Sequence, residues 1–137
     1  MFEQIDNWED TRDFRFMDLH WMLALQGDTP MTQLSPEVIA AIDERMLANR
    51  YAWDDPLPDD RVDNLWFWSE NHVLCFHTAQ LVAGMLFPDT VFPTHGKTGR
   101  EMAAEAEARL TRWFDAIDED GLCEWNSAAY YPIDFLG

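Results

Sequence analysis

The sequence predicts an all-α fold of stacked antiparallel helical hairpins, built on about four main helices. Three observations carry that reading. Apolar residues gather in four stretches of helical length, and each stretch starts or stops on a residue suited to a helix end. No stretch alternates apolar with polar in the manner of a half-buried strand. A chain of 137 residues can bury one real core, and 47% apolar residues with 14% aromatics argue against disorder. One domain, 1–137, is expected.

The first helix is expected from about Asp10 to Gln26, rich in Phe14, Phe16, Leu19, Met22 and Leu23, with Gly27 just past its end. The second opens at Ser35-Pro36-Glu37: an N-cap, a proline at the first helical position and an acid at the positive end of the helix dipole. Its stripe is Val38, Ile39, Ile42, Met46 and Leu47. The acidic stretch 54–60 follows, kept out of helix by Pro56 and Pro58. Ser69 caps the third helix, which runs to about Phe87 and is apolar on nearly every side, as an enclosed helix is. Thr98-Gly99-Arg100-Glu101 matches a capping box for the fourth. There Met102, Ala106, Leu110, Trp113, Phe114 and Ile117 form one stripe, Glu101, Glu105 and Arg109 face water, and Gly121 ends the helix.

Charge narrows the partners. Twenty-six acidic residues against nine basic ones give a net charge of -17, and Lys97 is the only lysine. Such a surface repels phosphate backbones and anionic headgroups, so nucleic acid and membrane are excluded as expected partners. It suits a halophilic setting, where salt screens self-repulsion. Cys75 and Cys123 are too few for a disulfide framework and read as reduced thiols. With neither a leader pattern nor a spanning segment, a cytoplasmic protein is expected.

Chemistry concentrates at Trp66-Phe67-Trp68-Ser69-Glu70-Asn71-His72, where aromatics run into a carboxylate, an amide and an imidazole at the mouth of the enclosed helix. Glu70, Leu74, His77 and Leu81 share one stripe of that helix, with Asn71 beside it; His72 falls on the far side. These groups suit proton transfer and neutralisation of a substrate carboxylate. Equally, Glu70 and Asn71 suit capping, and the histidines suit buried hydrogen bonds. A second cluster, Glu124-Trp125-Asn126-Ser127 with Tyr130 and Tyr131, follows the glycine stop on a loop. Glu124 is a candidate acid or base, Trp125 a stacking surface and a tyrosine a proton carrier. The same residues serve equally as loop packing.

No metal-binding spacing is present, and no cofactor is expected; a metal-dependent enzyme using His72 and His77 stays open as an alternative. Gly96-Lys97-Thr98-Gly99 has neither the preceding strand nor the glycine run of a phosphate loop and reads as a helix start.

The segments SENHVLCFHTAQLVAGMLFPDTVF, GKTGRE and GLCEWNSAAYY resemble a largely uncharacterised family of large bacterial, archaeal and fungal proteins with SENH and EWxSxxY motifs. That family looks related to the α/α toroids of glycoside hydrolases and polysaccharide lyases, and the resemblance spans roughly Phe14 to Leu136. It implies that Glu70, Asn71, His72, Glu124 and Tyr130 are catalytic and lie at one end of a ring. Trp68, His77, Trp125, Asn126 and Tyr131 would be substrate contacts. Carbohydrate is the implied substrate, by lyase chemistry through Asn71, His72 and a tyrosine, or by hydrolase chemistry through Glu70 and Glu124. Two hairpins cannot close a six-hairpin ring. The chain is therefore expected to be a toroid fragment, to homo-oligomerise, or to be a non-catalytic module that completes a larger partner.

Overall fold

The computed structural model describes residues 2–25, 33–57, 59–60, 62–63 and 69–125. Among them run α1 (Phe2–Asp6), α2 (Arg12–Ala24), α3 (Pro36–Ala48), α4 (Glu70–Leu86) and α5 (Gly99–Asp120). Between α4 and α5 sit two short antiparallel strands, β1 (Val91–Phe92) and β2 (Lys97–Thr98). The four expected helices are present. The single turn of α1 and the two-residue ladder are additions, each too short to leave a periodic pattern.

Helix ends follow local chemistry. The Ser35 hydroxyl accepts from the Val38 amide at 3.4 Å, ahead of Pro36 at the first helical position. Thr98 and Glu101 form a full capping box: the Thr98 hydroxyl accepts from the Glu101 amide, and the Glu101 carboxylate accepts from the Thr98 amide at 2.7 Å. Gly121 ends α5 at φ +79°, a backbone region in which glycine carries no steric penalty.

Helices α4 and α5 form an antiparallel hairpin, as contacts along their length require. Near the turn, Gly84 meets Gly99 and Ala103; a Cβ on Gly84 would lie 2.5 Å from the Gly99 carbonyl oxygen. Midway, buried Gln80 donates to the Met102 carbonyl at 3.1 Å and accepts from Arg109 at 3.0 Å. At the far end, the start of α4 meets the chain beyond α5 through side chains described below. Arg109 therefore does not face water as the helical stripe predicts. Its guanidinium bridges Gln80 and Asp54, which tie α5 to α4 and to the acidic loop. Phe114 also departs from its expected buried stripe: it is 56% exposed, with its ring edge-on to Trp113.

The core gathers Ile5, Phe16, Leu19, Ile42, Met46, Ala79, Ala83, Phe92 and Met102 from every helix and from β1. Beside it lies a buried ion cluster. Arg12 makes two bonds of 2.9 Å to Asp63, and Arg50 reaches the same carboxylate at 3.0 Å. All three side chains are nearly inaccessible, and for Arg12 the shared carboxylate opposes a desolvation that still lowers its pKa. Asp55 accepts from the Tyr51 and Ala52 amides at 2.8 and 2.7 Å, which folds the start of the acidic loop against the core. No helix among the described residues is long and apolar enough to cross a membrane.

Candidate functional site

The mouth of α4 is built from its own first turn. A helix leaves its first amides without intrahelical partners. Here the Ser69 hydroxyl and the Asn71 side-chain oxygen both accept from the His72 amide, at 3.3 and 2.8 Å. The Ser69 hydroxyl in turn donates to Asn71 at 2.6 Å. The Glu70 and Asn71 amides find an acceptor from 53 to 54 residues away: Glu124 Oε2, at 2.7 and 3.4 Å. Glu124 thus caps the helix in trans and places negative charge at its positive end.

Glu70 returns the contact. Its Oε1 accepts from the Cys123 amide at 2.6 Å, and its Oε2 accepts from the Trp125 amide at 3.0 Å. The two acids chosen from sequence are therefore brought together as a reciprocal clamp. Glu124 grips the backbone of Glu70 and Asn71, and Glu70 grips the backbone on either side of Glu124.

Asn71 is buried, with its carbonyl oxygen committed to Ser69 and His72. Trp125 is also buried, its ring 5.9 Å from that of Trp113. Trp68, Asn126, Tyr130 and Tyr131 lie outside the described residues.

His72 turns away from this clamp, toward α2. Its Nδ1 lies 2.8 Å from Asp13 Oδ2, and its ring rests 5.1 Å from that of Phe14. Asp13 is fully buried, with its Oδ2 on His72. The hydrogen bond to Asp13 chiefly raises the His72 pKa, against the pull of burial, and the charges of Asp10 and Glu124 add to the rise. Burial meanwhile pushes the Asp13 carboxyl up, and His72 pulls it back. With Asp13 accepting at Nδ1, the neutral ring carries its proton there. Nε2 is left as the nitrogen that can take or give a proton; it makes no hydrogen bond among the described residues.

His77 belongs to a different neighbourhood. Burial, reinforced by Arg109 and Arg112, lowers its pKa to about 4, so it is neutral at neutral pH. Five residues along a helix amount to a turn of about 140°, which sends His72 to α2 and His77 toward α5. Among the described residues no three of His, Cys, Asp and Glu gather as a metal-holding group.

Asp13, the partner of His72, is the side chain at this candidate site that sequence reasoning missed. A signal was present: it stands three residues before Phe16 on the same helix, so it adds an acid to an apolar face. A carboxylate so placed requires a partner. Arg12, next in sequence, is committed to Asp63 and so is not an open cation at this site.

Set against protein-family models, curated proteins and solved structures, the chain matches none.

Proposed function

We propose that the chain carries a proton-transfer site for carbohydrate, with His72 as acid–base group and Asp13 as the residue that orients it. The observation that carries this reading is the 2.8 Å contact between His72 Nδ1 and a fully buried carboxylate. A buried acid fixes both tautomer and ring angle, and it makes Nε2 a stronger base than a free imidazole. Carbohydrate as substrate rests on the resemblance of the SENH and EWxSxxY segments, and so does the toroid, in which α4 and α5 would be one hairpin of the ring. Of the two chemistries, elimination fits better than hydrolysis. Paired-carboxylate hydrolysis needs one acid to protonate the leaving group and another to attack or activate water. Both clamp carboxylates are instead held by backbone amides. In the elimination reading His72 takes the proton from the carbon beside the sugar carboxylate, the glycosidic C–O bond on the next carbon breaks as the carbon–carbon double bond forms, and Tyr130 gives its proton to the departing oxygen.

The test is a panel of uronic-acid polysaccharides, read at the absorbance of the unsaturated product. The expected result is activity that His72→Ala lowers by roughly 10²- to 10⁴-fold. Asp13→Asn should shift the pH profile of the same activity to more acid values. Activity that survives His72→Ala unchanged would refute the assignment.

A second reading, a non-catalytic helical module, is favoured by one specific observation: the clamp engages both motif acids in holding backbone. No turnover on the panel, together with loss of fold on breaking the clamp, would favour it.

A further inference from the structure

His72 is the third residue of α4, inside the single turn over which the positive end of a helix is felt. Side chains of a helix lean back toward its N-terminus, so the imidazole is carried toward the helix mouth. A bare helix end opposes a second proton on such a ring and makes it a poorer base.

Glu124 changes that end. Its Oε2 accepts from the Glu70 amide at 2.7 Å and from the Asn71 amide at 3.4 Å, which puts a negative charge on the first two amides of α4. The third amide, that of His72, is met by neutral oxygens of Ser69 and Asn71. Glu70, on the same turn, spends its two oxygens on the Cys123 and Trp125 amides. Among the described residues, Glu124 is therefore the carboxylate seated on the mouth of α4.

Other charges face the ring from α2 and the turn before it. Asp13 holds Nδ1 at 2.8 Å, and Asp10 adds its charge. Phe14 lies 5.1 Å from the ring, and the His72 side chain is only 14% exposed, so solvent screens these charges incompletely. The hydrogen bond to Asp13 raises His72 most, burial opposes it, and Asp10 and Glu124 add to the rise. Asp10 and Asp13 come with α2. Glu124 comes from the loop beyond α5, so its share depends on that loop being docked.

We propose that Glu124 is a positioning residue for His72: its carboxylate neutralises the helix end that carries the imidazole, and so ties the readiness of the base to docking of the chain beyond α5. This role rests on His72 as the acid–base group. It joins the two sequence clusters in one device, the second acting on the first through α4 rather than on substrate.

The test is histidine NMR titration on the full chain, with His72→Gln to assign the resonance. Glu124→Gln keeps an oxygen for both amides, so α4 stays capped while the charge is lost; the His72 midpoint should fall by about 0.2–0.7 pH. Glu124→Asp keeps the charge and should recover at least about half of that fall. His77 is the control for a merely structural effect. Burial, reinforced by Arg109 and Arg112, holds it at about 4, and a loosened fold would let it climb toward 6.5. Its midpoint should stay in place. In the elimination assay, the acid limb of the Glu124→Gln profile should move to lower pH by the same amount as the His72 midpoint. The proposal is overturned if that midpoint stays within about 0.1 pH of the parent's in Glu124→Gln, or falls only where His77 climbs. A still midpoint with His72-dependent turnover sinks this role alone. A moved midpoint with no turnover sinks the acid–base reading and leaves the electrostatic coupling standing.

Discussion

Glu70→Gln and Glu124→Gln remove the same charge from the same clamp, and the geometry makes their costs unequal. Glu70 uses both oxygens, one on the Cys123 amide and one on the Trp125 amide. Glutamine offers one oxygen and one NH2, so one backbone donor must face another donor. The carbonyl should turn to buried Trp125, leaving exposed Cys123 to water. A hydrogen bond to a charged group contributes about 1.5–3 kcal/mol, and access to water trims the loss to roughly 1.5–2 kcal/mol. Glu124 differs because one oxygen, Oε2, serves both the Glu70 and Asn71 amides. A glutamine carbonyl can hold both bonds. The loss is then mainly the charge at the helix N-terminus, about 0.3–1 kcal/mol. A gap of about 1 kcal/mol is expected. Urea unfolding followed by far-UV dichroism reads it: with m near 2 kcal/mol/M, the Glu70→Gln midpoint should lie roughly 0.5 M below that of Glu124→Gln. Equal midpoints, or the reverse order at equal m, would show that the clamp does not work through these amides.

Other perturbations probe other parts of the fold. Gly84→Ala places a Cβ 2.5 Å from the Gly99 carbonyl oxygen and 2.7 Å from the Ala103 amide nitrogen, and should destabilise by about 1–3 kcal/mol in urea unfolding. Gly96→Ala meets no atom of the described residues within 4 Å but sits at φ +65°, so its cost of about 1–2 kcal/mol should come from backbone strain. Asp63→Asn leaves Arg12 and Arg50 buried without their carboxylate; a loss of about 3–5 kcal/mol, seen as a collapse of the thermal transition, is expected. His77 titrates near 6.5 when unfolded and at about 4 when folded, so the unfolded chain takes up the extra proton. Its contribution is therefore complete above pH 6.5 and falls away toward pH 4, by roughly 3 kcal/mol at most. His77→Gln should flatten that part of the stability–pH curve, and an unchanged slope would show that burial does not hold this ring neutral.

What the sequence made legible is what short-range chemistry decides. Ser35, Ser69, Thr98 and Gly121 end helices through contacts within a few residues, and each does so as its neighbours imply. Burial along α5 was readable where Met102 and Ala106 repeat at helical spacing, and it failed at Arg109 and Phe114, whose surroundings depend on Asp54, Gln80 and Trp113. The site was legible in place but not in role. Glu70 stood out as an acid at a helix mouth and Glu124 as an acid on the loop after a helix, yet nothing local says that each would reach a backbone more than fifty residues away. The Asp13–His72 pair spans 59 residues and is set by how α2 packs on α4. Pairing of that kind is a property of tertiary packing, which periodicity alone does not encode.

The hairpin of α4 and α5 is fastened at both ends: by glycine contact where the helices meet the turn, and by the carboxylate clamp where they part. Helix termini ordinarily fray, and their amides exchange hydrogen well before those in the middle. In α4 the opening amides are capped partly by Glu124, and Glu70 in turn holds the amides beyond the end of α5. Neither terminus can loosen alone without leaving a partner's amides unpaired. Amide exchange should therefore be nearly uniform along α4, with the two helices opening together as one cooperative unit rather than peeling from the ends.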